Sequence, residues 1–120
     1  MPFMFENLEV YRRAVDVADT TIRISEKFPK GYYFLADQLN RAALSISTNI
    51  AEGNGRFTKA DRKNFFIIAR GSIQECIPLL EITQRRKFIN HAEHNKLYDE
   101  LEILSKMLNG LIKGIDKRTQ

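Results

Sequence analysis

Asp37-Gln-Leu-Asn-Arg-Ala-Ala-Leu-Ser-Ile-Ser-Thr-Asn-Ile-Ala-Glu-Gly-Asn-Gly-Arg56 is the stretch whose reading decides the fold. Leu35, Leu39, Ala42, Ile46 and Ile50 recur in steps of three and four, the spacing of one helix face. Only Asp37, Arg41 and Glu52 are charged between Phe34 and Gly53, so no whole face of this helix suits water. The helix is therefore expected to be enclosed on several sides. Inside that enclosure Asn49 needs partners, because an unpaired buried amide costs about 1–3 kcal/mol.

Working outward, the rest of the chain reads as three more helices around this one. A first helix over about residues 6–28 has the seam Leu8, Tyr11, Val15, Ala18 and Ile22, and Phe28-Pro29-Lys30-Gly31 ends it. The central helix runs from about 33 to 53, with Gly53-Asn54-Gly55 as a stop that accepts positive φ. Its second stripe, Gln38, Arg41, Ser45, Thr48 and Glu52, is mostly small and polar and suits a neighbouring helix. A third helix, about 58–86, opens on Thr58 as N-cap and carries Phe65, Phe66, Ala69, Ile73, Cys76, Ile77 and Leu80. Gly71-Ser72 suggests a close helix approach there, and Pro78 predicts a kink. A fourth helix, about 91–114, follows the capping pair Asn90 and Glu93, with the seam Leu97, Leu101, Leu104, Leu108, Leu111 and Ile115.

With 120 residues, 28% charged and 43% apolar, one globular domain spanning 1–120 is expected. The formal charge of +4 permits nucleic acid or acidic partners without requiring them. The single Cys76 allows no internal disulfide and fits a reducing compartment. The N-terminus lacks the pattern of a signal peptide, and no run suits a membrane span, so a cytoplasmic address is expected. Four amphipathic helices joined by short turns predict an all-α, antiparallel up-down four-helix bundle. The second and third helices are apolar over more of their circumference than one bundle interior needs, which predicts a homo-oligomer.

Several motifs also carry a resemblance. Gln38 to Ile46, Asn49-Ile50-Ala51-Glu52-Gly53, Gly55-Arg56, Phe5-Glu6-Asn7-Leu8, Phe28-Pro29 and Ala69-x-Gly71-Ser72-x-x-Glu75 together resemble one family. It is the four-helix-bundle family of proteins encoded in intervening sequences of bacterial 23S ribosomal RNA genes, with which the accessory variability determinant of diversity-generating retroelements is grouped. The resemblance covers about Phe5 to Gly114 and implies a ring-like homopentamer. For the retroelement branch it implies contact with a reverse transcriptase and with nucleic acid through basic surfaces.

Chemistry is otherwise sparse. His91, Glu93 and His94 open the fourth helix but lack a second ligand cluster, so surface histidines are expected and no metal. Cys76 reads as a buried small hydrophobe. No nucleophile motif, nucleotide loop or carboxylate pair appears, so neither catalysis nor a cofactor is expected.

Two polar sets remain. Arg41, Asn49, Glu52, Arg70 and Glu75 read as assembly residues, with Asn49 and Glu52 facing Arg70 or Glu75. Arg56, Lys59, Arg62, Lys63, Lys113, Lys117 and Arg118 gather at one pole of an up-down bundle, a candidate RNA or DNA contact resting on phosphates. The alternative is a purely structural homo-oligomer or protein-interaction module whose charge serves solubility. No exposed aromatic cluster is expected beside these basic residues, and Tyr32 and Tyr33 at the other pole are expected to cap the core.

Overall fold

Leu8 decides where the first helix begins. In the computed structural model, which describes residues 3–117, Leu8 is extended (φ −75°, ψ 128°). A 3₁₀ turn, Met4–Asn7, therefore precedes α1, Glu9–Ser25. The expected start near residue 6 gives way to this break.

The seam of α1 also differs from the expected one. Val10, Ala14, Val17, Ala18 and Thr21 are buried, whereas Val15 and Ile22 are exposed. Thr21 reads as polar by pattern, but its hydroxyl donates to the Ala18 carbonyl at 2.9 Å. With that bond made inside its own helix, the side chain is buried at little cost.

Gly31, at φ 98°, turns the chain into α2, Tyr33–Asn54. This helix passes through Gly53, and Gly55 follows at φ −85°, so no left-handed residue stops it. The need for glycine at 53 comes from packing instead. A Cβ there would lie 2.8 Å from Phe66 Cε1 and 3.0 Å from Phe65 Cβ. Gly71 shows the reverse. A Cβ on it would meet nothing within 4 Å, so the expected close approach at Gly71 is absent from the chain's own packing. Its neighbour Ser72 makes the contact, with Oγ 2.8 Å from Ser45 Oγ.

The third helix, α3, spans Lys59–Arg85 and is capped as expected, Asp61 N–H donating to Thr58 Oγ1 at 3.1 Å. It runs through Pro78 without interruption. Pro78 and Gln74 are both exposed, so water can take the place of the missing backbone bond. Its end is a Schellman motif: Lys87 N–H donates to the Gln84 carbonyl at 2.8 Å and Phe88 N–H to Thr83 at 3.1 Å. Lys87 takes the left-handed position (φ 65°) that glycine usually fills.

The fourth helix, α4, is His91–Lys117, three residues longer than its expected end at 114. Asn90 and Glu93 bond reciprocally, at 2.9 and 2.8 Å, as a capping box. Leu101, Leu104 and Leu108 are wholly buried, each contributing about 1.5–3 kcal/mol. All four helices feed one apolar core. None is long and apolar enough to cross a membrane among the described residues.

Helix α2 packs closely on α1 and α3, and α3 also packs on α4, while α1 and α4 form the loosest of the four packed helix pairs. Between these last two lies a groove of about 770 Å³, its floor formed partly by Val17, Ile24 and Leu97. Arg13 spans its rim, 2.9 Å from Glu9 and 3.3 Å from Glu100. The hydrogen bond to Glu9 and the charge of Glu100 hold its guanidinium further above its ordinary pKa.

Candidate nucleic-acid interface

The α2–α3 turn carries the basic residues that the sequence singles out, and their surroundings differ. Arg56 pairs with Glu52 at 2.8 Å, one helical turn back, and its guanidinium lies 4.6 Å from the centre of the Phe65 ring. Lys63, in the second turn of α3, pairs with Asp116 near the end of α4 at 2.8 Å. Half-buried Arg62 has a buried Nε without a hydrogen-bond partner. Lys59 is half-buried, Lys113 and Lys117 are exposed, and none of the three makes an ion pair among the described residues. Arg118 lies outside the described residues.

Because Lys63 touches Asp116, Lys59, Lys113 and Lys117 fall within a helical turn of one contact spanning α3 and α4. Two of the six described cations are thus neutralised by carboxylates. The four others leave a positive surface smaller than the sequence suggests.

No exposed aromatic cluster is expected beside these residues, but a single ring, Phe57, does stand there. It is fully exposed, between Arg56 and the Thr58 cap. A residue in this place usually packs on the fourth residue of the following helix, which is Arg62. Arg62 offers no apolar side chain for such a staple, and the ring stays in water. That spacing could have been read from the sequence.

The second polar set is not one cluster. Arg41 pairs with Asp37 at 2.9 Å on the exposed side of α2. Asn49 donates to the carbonyl and hydroxyl of Ser45, at 2.8 and 2.9 Å, within its own helix. Glu52 is held by Arg56, and Arg70 reaches α4, bonding Asn109 Oδ1 at 2.9 Å. Glu75 is exposed. The expected facing of Asn49 and Glu52 with Arg70 or Glu75 is therefore not formed. Arg70 and Ser72 are separated by about 200° around α3, and Ser72 is the one turned to α2. The polar link between α2 and α3 is Ser45 with Ser72, extended by Asn49. Ser45 lies in the second stripe of the central helix and Ser72 in the Gly71-Ser72 pair, both visible in the sequence.

The remaining reactive side chains are tied up or inert. Burial pushes the Cys76 thiol up to about 12, with the Glu75 carboxylate adding to the shift, so no thiolate nucleophile exists at neutral pH. His91 Nδ1 lies 2.8 Å from Gln84 Nε2. His94, expected at the surface, is half-buried and stacks on Tyr98 with ring centres 6.1 Å apart. No group of three or more His, Cys, Asp or Glu residues among those described is arranged to hold a metal ion.

Comparison with known proteins agrees with the helical architecture. Residues 6–110 match the family model described as 23S rRNA-intervening sequence protein. The chain belongs to that family. Among solved structures, six chains match. One is the crystal structure of a protein of unknown function from the S23 ribosomal protein family of Bacteroides thetaiotaomicron. It superposes with a TM-score of 0.80 at 22% identity, covering 87% of this chain and 98% of that one. This likeness establishes the fold of the intervening-sequence protein and leaves its activity to the chemistry of its surface. None of the curated proteins compared with the chain matches it.

Proposed function

We propose that this intervening-sequence protein is a non-enzymatic, homo-oligomeric accessory module that contacts nucleic acid, or an enzyme acting on it, through the α2–α3 end. The observation that carries this reading is the group Lys59, Lys113 and Lys117, free of ion pairs among the described residues and beside fully exposed Phe57. Such cations bind phosphates with little sequence preference and lose affinity steeply with salt. The subunit we infer is an antiparallel up-down bundle. The pairings of Gly53 with Phe66, Lys63 with Asp116 and Arg13 with Glu100 support that order. A pentameric ring, as the family resemblance implies, would repeat the cationic group around an axis and multiply its field. A cytoplasmic location suits such a role.

Filter binding of structured RNA and duplex DNA at two salt concentrations tests this reading. Binding that weakens with salt, and falls further in Lys59→Glu/Lys113→Glu, is expected. Retention at high salt with indifference to the charge reversals would contradict it.

A purely structural assembly is the second reading, and one face supports it. Ile68, Gly71, Glu75, Pro78 and Ile82 follow one another along the outside of α3 with a single charge among them, and both isoleucines are exposed. Ile68→Glu should then lower the sedimentation coefficient without affecting nucleic-acid binding by the isolated subunit.

A further inference from the structure

The end of the molecule opposite the α2–α3 turn also combines aromatic rings with cations that are unpaired among the described residues. Two turns meet there, 26–32 and 86–90. Phe88 joins them, its ring centre 5.2 Å from Phe28 and 4.7 Å from Tyr32. Arg86 donates to the Tyr32 hydroxyl at 2.9 Å and lies 5.7 Å from the centre of that ring. Phe34 stands beside Tyr32, with ring centres 5.8 Å apart. Tyr33 and Phe34 are 77% and 63% exposed, so these rings extend beyond what the core needs as a cap. Lys27, Lys30 and Lys87 are exposed and make no ion pair among the described residues, and the hydrogen-bond partner of Arg86 is a neutral phenol. The first turn of α2 has no side-chain cap and no acidic residue.

We propose that this surface binds unpaired nucleotides of single-stranded nucleic acid. Tyr33 and Phe34 offer rings for base stacking, while Lys27, Lys30, Arg86 and Lys87 meet the phosphates. Stacking on exposed rings accepts any base, because each base has a π face. A duplex keeps its bases stacked inside and presents only phosphates, so it gains nothing from the rings. The ligand class rests on the nucleic-acid reading above, but the residues are separate from those of the α2–α3 end.

Fluorescence anisotropy with a labelled oligonucleotide, single-stranded or in duplex form and as RNA or DNA, tests the assignment on the full chain. Tyr33→Ala/Phe34→Ala should weaken single-strand binding by about tenfold or more and leave duplex binding nearly unchanged. Lys27→Glu/Lys30→Glu should make the salt dependence of single-strand binding shallower, by about 0.7 in log–log slope for each phosphate no longer neutralised. RNA and DNA that respond alike would place recognition in base and phosphate, and a response confined to RNA would add the 2′-hydroxyl. Sedimentation of each variant accompanies the titration. If the aromatic variant alters the oligomer and leaves binding intact, the rings are an assembly contact and the proposal is overturned.

Single-strand binding that falls only with Lys59→Glu/Lys113→Glu would overturn this surface while sustaining the α2–α3 reading. A fall confined to the aromatic variant would do the reverse. Failure of every probe to bind would end both.

Discussion

The two ends of the molecule carry similar numbers of basic residues but use them differently. At the α2–α3 end, Arg56 and Lys63 are held by Glu52 and Asp116, and the fully exposed ring of Phe57 stands apart from the core. At the opposite end Arg85 is held by Glu81 but Arg86 by a tyrosine, and the rings of Phe28, Tyr32 and Phe88 join two turns. Three lysines there are unpaired among the described residues, as Lys59, Lys113 and Lys117 are at the first end. A carboxylate cancels the charge it orders, whereas a phenol orders a guanidinium and leaves its charge in place. Counting basic residues along a chain therefore does not show which of them keep their field.

One aromatic from each end tests the difference most severely. Phe88→Ala should cost about 2–3 kcal/mol in chemical denaturation, because the ring links both turns to the core. Phe57→Ala should change stability by no more than about 0.5 kcal/mol, since that ring touches water. Equal effects would erase the contrast between the ends.

The next largest effect concerns glycine. Gly53→Ala should lower stability by about 1–2 kcal/mol despite its better helix propensity, because the new Cβ presses on buried Phe66. Gly71→Ala, with open space around it, should gain up to about 1 kcal/mol in the isolated subunit. A destabilisation at Gly71 that depends on protein concentration would instead mark the α3 face as an assembly contact.

These residues also show how far the sequence could be read. The four helices, the Thr58 cap and the Asn90–Glu93 box were legible because each depends on neighbours within a turn or two. The Leu97–Leu108 seam was legible because nothing polar interrupts it. The α1 seam was not, because the intrahelical bond that lets Thr21 be buried does not show in apolar spacing. Gly53 and Gly71 exchanged roles, since whether a glycine meets Phe66 or open space depends on how two helices rotate against each other. That rotation also separated Arg70 from Asn49. The basic residues were identified, but their ion partners, sometimes 53 residues away as for Lys63 and Asp116, were not.

Smaller effects refine the comparison. Lys87→Gly should gain about 0.5–1 kcal/mol by relieving a left-handed lysine, yet weaken single-strand binding by removing a cation. A gain in stability with unchanged affinity would remove Lys87 from the proposed surface. Cys76 adds a pH dependence independent of both ends. Its folded pKa is raised, so the unfolded chain releases this proton first as pH rises. Its stabilising effect is whole below the ordinary thiol range and is lost as pH climbs toward about 12. Cys76→Ala should flatten that alkaline decline, and an identical decline in both proteins would mean the thiol is not protected by burial.

The most direct test of the proposed function is the salt dependence of duplex binding by the parent chain and by Lys59→Glu/Lys113→Glu/Lys117→Glu. The parent should show a steep negative log–log slope, and the variant a slope shallower by about 2–3, as three phosphate contacts at about 0.9 each require. Identical slopes, or a parent affinity insensitive to salt, would contradict nucleic-acid contact through the α2–α3 end.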